Sequence, residues 1–147
     1  MMNLSGTAVR KFIDRQQPRY KLKRNPRAKS RLDELLVVAD DVSLPYGEVR
    51  LRSKGGDGGQ KGLRDVAKRL GTQSFARLRV GVGPRDAGGG LGPVPGALDR
   101  YVLGRFTAAE RAELDAVLER CCEVLRVYLH RGVDAAATCA NGKQRRR

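Results

Sequence analysis

The residues best placed to do chemistry lie in "KGGDGGQKGLRDVAKRL", residues 54–70, where four glycines fill five positions and lead into an amphipathic pattern. Glycine reaches backbone conformations closed to other residues and lets a second group approach the chain closely. A glycine loop that opens a helix also aims backbone N–H groups outward, where they suit an anion. The segments on either side carry Arg50, Arg52 and Lys54 before the loop and Arg77 and Arg79 after it. These groups point to a phosphate-rich ligand held across strand ends, and nucleic acid suits the charge best. The loop lacks the Gly-Lys-Ser/Thr ending that grips nucleotide phosphates and magnesium. Its spacing does not fit a dinucleotide fingerprint, and no acidic residue ends a following strand to meet a ribose.

Other chemistries find little support. The single histidine, His130, falls in the last turn of a helical pattern, where a cation favours the helix dipole, so no Ser-His-Asp or Cys-His set can form. Cys121, Cys122 and Cys139 give neither a disulfide framework nor metal-ligand spacing, which suits a reducing compartment. No metal or cofactor is expected. No apolar run is long enough to span a bilayer, and no targeting segment is recognised. The formal charge is +14, from 30 basic and 16 acidic residues, a balance that suits a polyanionic partner. Much of the excess sits between Arg10 and Arg31, with ten basic residues against Asp14 alone, and in Lys143 and Arg145 to Arg147.

The elements that must position these groups read as one α/β domain of 147 residues. "DELLVVAD" (33–40) has the continuous apolar run of a strand buried on both faces, and "SLPYG" is turn chemistry. "GEVRLRSK" (47–54) alternates, with Val49 and Leu51 opposite a basic face of Arg50, Arg52 and Lys54. Leu63, Val66, Ala67 and Leu70 mark a helix closed by Gly71. "FARLRVGVG" (75–83) is a third strand, with Arg77 and Arg79 on one face. Strand, helix, strand in this order implies a right-handed crossover and parallel pairing of the last two strands. Residues 84–98 are too rich in Gly and Pro for an element. Thr107 and Glu110 then form a capping box, and Leu114, Leu118, Cys121, Leu125 and Tyr128 set the stripe of a long helix. Residues 140–147 read as a basic disordered tail.

Four segments in register, "MNLSG", "DDVSLPYGEVRLRSKGGDGGQKGL", "LGTQSFARLRVGVG" and "YVLGRF", resemble the bacterial-type peptidyl-tRNA hydrolases, including plant organellar relatives that act as group II intron splicing factors. "DDVSLP" resembles the plant version, and the basic stretch 18–31 reads as an insertion. The resemblance implies a three-layer α/β sandwich around a mixed sheet and hydrolysis, without metal, of the ester joining a peptide to the tRNA 3′ end. It implies a monomer acting on tRNA in translation, with no membrane, in the cytoplasm or in a chloroplast or mitochondrion. By the same resemblance Asp40 falls on the aspartate that orients a general-base histidine, and Asn3 on an asparagine that positions substrate. Lys61 falls where the family has an asparagine beside the attacking water. Arg50 and Arg79 fall on basic positions that clamp a tRNA phosphate. Arg52, Gly58, Gly59 and Gln60 complete the RNA-binding surface.

Set against the family, the chain opens at "MNLSG" and reads as N-terminally truncated, without the first strand and the histidine that follows it. An ammonium at Lys61 donates hydrogen bonds but cannot accept one as an amide does. The alternative implied by the same resemblance is a non-catalytic binder of structured RNA that works with a protein partner, like the splicing relatives.

Overall fold

The computed structural model describes residues 5–16 and 34–142. Asn3, the basic stretch 18–31 and the tail from Lys143 onward therefore lie outside the described residues. The chain forms seven elements: α1 (Ser5–Gln16), β1 (Leu36–Pro45), β2 (Val49–Arg52), α2 (Lys61–Leu70), β3 (Ala76–Gly83), α3 (Leu98–Val102) and α4 (Ala108–Asn141). Its contacts gather into two compact units where the sequence suggests one domain. The first comprises the described residues up to Ala39 together with Arg52–Leu78, and the second Asp40–Leu51 together with 79 onward.

The three strands make one mixed sheet in the order β1-β3-β2. The start of β1 meets the start of β3, where the Ala76 N–H donates to the Leu35 carbonyl at 2.9 Å, so these two run parallel. The residues leading into β2 meet the end of β3 instead: Tyr46 N–H donates to Gly83 O and Gly81 N–H to Glu48 O, both at 2.7 Å. β2 and β3 are thus antiparallel, contrary to the expected parallel pairing. The parallel partner of β3 is β1, and the crossover rule applies to that pair. β1 also differs from its expected double burial. It stands at an edge of the described sheet, and Val38 is 52% exposed.

In the first unit, α1 and α2 pack on each other and on Phe75. Ile13 of α1 is buried with Leu63, Val66 and Leu70 of α2, and Val9, Leu35, Val37, Ala39 and Ala67 border this cluster. α2 is the helix the spacing predicts, ended by Gly71 in the left-handed conformation at φ 70°. α1 was not expected from the pattern. Gly6, the last residue of "MNLSG", makes it possible: its N–H donates to Asp65 Oδ2 at 2.8 Å. A Cβ at Gly6 would lie 2.3 Å from the Asp65 carbonyl oxygen.

In the second unit, α4 begins with the expected capping box, in which Thr107 N–H donates to Glu110 Oε2 at 2.7 Å and Glu110 N–H to Thr107 Oγ1 at 3.2 Å. The helix does not stop at the histidine. Gly132 (φ 78°) kinks it, and a second arm runs to Asn141, so the tail placed at 140–147 is helical through its first two residues. The buried side of the first arm is Val117, Cys121 and Val124, whereas Leu118, expected on the stripe, is 53% exposed. Arg120 joins the two arms by donating to the Cys139 carbonyl.

Candidate functional site

The glycine loop is organised from within the first unit. Gln60 N–H donates to the Asp57 carbonyl at 3.0 Å across Gly58 and Gly59. Those glycines have φ 59° and 84°, positive values that a side chain would strain. The Asp57 carboxylate accepts from Gly59 N–H at 2.8 Å and from Arg64 Nε at 3.0 Å. The hydrogen bond from Arg64, then that from the Gly59 N–H, hold its pKa below the usual carboxylate value. Gln60 is the N-cap of α2, its side-chain oxygen accepting from Leu63 N–H at 2.7 Å. The first-turn N–H groups of a helix have no intrahelical acceptor, and Gln60 takes that of Leu63. Lys61 follows as the first residue of α2 and is exposed. Ser5 lies against this turn, its Oγ 3.4 Å from where a Cβ of Gly62 would stand. The unit thus brings Gly58, Gly59, Gln60 and Lys61 together beside the end of "MNLSG".

Arg77 was expected on an open basic face with Arg79, and here the structure differs. Arg77 is 2% exposed. Its guanidinium donates to the carbonyls of Gly55 and Gly56 (2.8 Å to the latter), Gln73 (2.7 Å) and Phe75 (3.1 Å), and stacks 4.4 Å from the Phe75 ring. A planar fork with five donors can serve several carbonyls at once, so Arg77 is a hub that holds the glycine loop. It is not an arm that reaches a ligand.

The second unit holds Asp40, Arg50 and Arg79. Successive strand residues face opposite sides, so Asp40 is exposed while its neighbour Asp41 is buried. Asp41, which the sequence reading passed over, is the ion-pair partner of Arg79. Ser43 completes the group: its hydroxyl donates to Asp41 Oδ1 at 2.6 Å, and Arg79 Nη2 lies 3.4 Å from Ser43 Oγ. Only the period-two alternation of β1 could have singled out Asp41. Arg50 is exposed and pairs with Glu48 at 2.6 Å. Arg52, assigned to the first unit, is exposed at the end of β2. Among the described residues no cluster of three His, Cys, Asp or Glu is placed to hold a metal ion, and no helix is long and apolar enough to cross a membrane.

A family profile described as Peptidyl-tRNA hydrolase matches residues 1–147. A peptidyl-tRNA hydrolase of Chlorobaculum tepidum is 39% identical over 142 residues, which is 97% of this chain and 66% of that protein. One from Gloeobacter violaceus is 35% identical over 144 residues, 97% of this chain and 62% of that protein. The crystal structure of peptidyl-tRNA hydrolase from Acinetobacter baumannii aligns with a TM-score of 0.68 at 26% identity, covering 96% of this chain and 62% of that one. The chain spans a little under two thirds of the length of these relatives. With a profile matched from end to end, it belongs to the peptidyl-tRNA hydrolase family.

Proposed function

We propose that this protein acts on peptidyl-tRNA and takes part in hydrolysing the ester between the peptide and the 3′ ribose. The observation that carries the reading is the start of α2. A glycine turn there is tied down by Asp57 and capped by Gln60, and it leaves first-turn N–H groups and the Lys61 ammonium outward. Water attack on the ester carbonyl creates an oxyanion, which outward N–H groups and a cation stabilise. A glycine turn admits substrate backbone that a Cβ would exclude. In the family's chemistry a carboxylate orients the imidazole that takes the proton from water and stabilises the imidazolium formed. We assign the orienting role to Asp40 and substrate positioning to Asn3. Arg50, Arg52 and Arg79 supply charge for RNA phosphates, which fix register without reading sequence.

The test is single-turnover release of an N-blocked aminoacyl group from tRNA by this chain, with an Asp40→Ala control. Release that falls with the substitution is the expected result. RNA bound tightly with the ester left intact would replace hydrolysis by the RNA-holding role of the splicing relatives. Absence of RNA binding would overturn the reading altogether.

A further inference from the structure

We propose that a cleft at the C-terminal half of α2 is a second RNA contact, taking the ribose-phosphate backbone of a strand. This rests on the reading of the protein as one that acts on tRNA. The cleft encloses about 390 Å³ and is lined by Asp57, Arg64, Lys68, Gly71, Thr72 and Gln73, with Ala67 as its apolar wall. Lys61 and Gly71 are ten residues apart, so the two ends of α2 are separated by about 15 Å. The cleft borders the glycine turn through Asp57 and extends along α2 toward its C-terminal end.

The polar side chains left to a ligand there, those of Arg64, Lys68, Thr72 and Gln73, all carry hydrogen-bond donors. Asp57 is the one carboxylate in the lining, and it already accepts from Gly59 N–H and Arg64 Nε. That pairing uses Nε and Nη2 of Arg64 and leaves Nη1 for another acceptor. Lys68 is exposed and forms no ion pair with a described residue. Thr72 Oγ1 accepts from Ser74 N–H at 3.0 Å, which keeps its own proton available to donate. The carbonyls at the helix end would repel an anion, but Ala67 O is taken by the N–H groups of Gly71 and Thr72 at 2.9 and 3.2 Å. The Gln73 carbonyl is likewise held by Arg77 at 2.7 Å, which also fixes this rim.

A donor-lined cleft selects an anionic, oxygen-rich ligand. Its volume exceeds a lone phosphate, and most of its lining residues are exposed. An open cleft of this kind suits a strand passing through, with phosphate on Lys68 and Arg64 and ribose hydroxyls on Thr72 and Gln73.

The probe is a fluorescein-labelled tRNA acceptor-stem minihelix, titrated by anisotropy with the chain over a series of salt concentrations. Variants are Lys68→Gln and the rescue Lys68→Arg, with thermal unfolding of each checked against the parent. The expected result is weaker binding by Lys68→Gln, with the slope of log affinity against log salt reduced by roughly one, and recovery of both in Lys68→Arg. An unchanged slope in Lys68→Gln, while the parent binds RNA, would overturn the cleft and leave the function reading standing. Saturation of the cleft by inorganic phosphate or adenosine monophosphate without loss of minihelix binding would also overturn it. If the parent binds no RNA at all, the function reading fails first and the cleft with it.

Discussion

The buried carboxylate of Asp41 is ion-paired with Arg79, and Ser43 bridges the two. Arg79 is thereby held in one orientation, and part of its charge is already answered by protein. Removing one member of a buried pair leaves the other as an uncompensated charge, whereas removing both is far milder. Arg79→Gln should therefore destabilise the protein by about 3 kcal/mol. The double variant Asp41→Asn/Arg79→Gln should lose less than the sum of the single variants. Urea unfolding of the four members of this cycle checks it, and strictly additive losses would mean the pair is not coupled.

Arg77 gives a sharper case because its partners are carbonyls rather than a carboxylate. Lysine keeps the charge but brings three donors on a flexible stem, and it cannot reproduce a planar fork on four carbonyls. Arg77→Lys should cost about 1–3 kcal/mol, the range for leaving a buried polar group unsatisfied. The loss should be local as well as global. Limited proteolysis in the glycine loop, residues 54–59, should speed up in Arg77→Lys and not in Arg79→Gln. Equal cleavage rates in the two would show that Arg77 does not hold the loop.

The contrast between these arginines shows where sequence reading reaches and where it stops. α2 was legible because everything that makes it is local: Leu63, Val66 and Leu70 at helical spacing, with Gly71 just beyond. The alternation of Val49 and Leu51 with Arg50 and Arg52 was legible for the same reason, and it survives in the burial of β2. The glycine turn also announced itself, since positive φ at Gly58 and Gly59 is a property of residue type. Arg77 was not legible, because its acceptors at Gly55 and Gly56 are more than twenty residues away. α1 depends equally on a distant contact, the docking of Gly6 on Asp65. His130 read as the last turn of its helix, yet Gly132 just beyond it only kinks α4 before the helix resumes. Asp41, the partner of Arg79, was not legible, because neighbouring aspartates differ only in which side of β1 they face.

Gly6 marks a contact where volume alone should decide the outcome. A methyl group there would meet the Asp65 carbonyl oxygen at 2.3 Å, and a backbone atom cannot swing aside. Gly6→Ala should cost about 1–3 kcal/mol or more, as overpacked sites do. Gly56 is the matched control, with nothing within 4 Å of its added Cβ and no positive φ. Gly56→Ala should leave stability within about 0.5 kcal/mol of the parent. Hydrogen exchange should show lost protection across α1 in the first variant alone, and retained protection there would refute the close docking.

Tyr46 and Tyr101 set the alkaline limit of the second unit. Tyr46 donates its phenolic proton to Glu110 O at 2.6 Å, and Tyr101 donates to Val82 O at 2.7 Å. Burial pushes both phenols above their usual pKa near 10.0; for Tyr46 the Glu110 and Glu113 carboxylates add to this and Arg85 opposes it. A group whose folded pKa is raised contributes stability that is full below its unfolded value and is lost as pH rises through the folded one. Stability should therefore hold from neutral pH to about 10 and fall beyond it. Tyr46→Phe should lose about 1 kcal/mol at pH 7 and flatten part of that alkaline fall. Unfolding free energies measured between pH 7 and 11 decide it: a parallel fall in the double Tyr→Phe variant would assign the limit to other groups.

Asn141 closes the free edge of β2. Its Oδ1 accepts from Leu51 N–H and its Nδ2 donates to the Leu51 carbonyl, both at 3.0 Å, the two bonds a neighbouring strand residue would make. Leu51 is wholly buried, so water cannot readily replace the amide. Asn141→Ala should leave both backbone groups unpaired and cost about 2–3 kcal/mol. Asn141→Asp keeps the acceptor but removes the donor, and it sets a carboxylate against the Leu51 carbonyl, so it should not rescue the loss. The decisive readout is amide exchange at Leu51, which should accelerate in Asn141→Ala by a factor that tracks the global loss or exceeds it. Unchanged exchange there, with stability still reduced, would mean the second arm of α4 is held by Ala136 and Ala140 packing rather than by this pair.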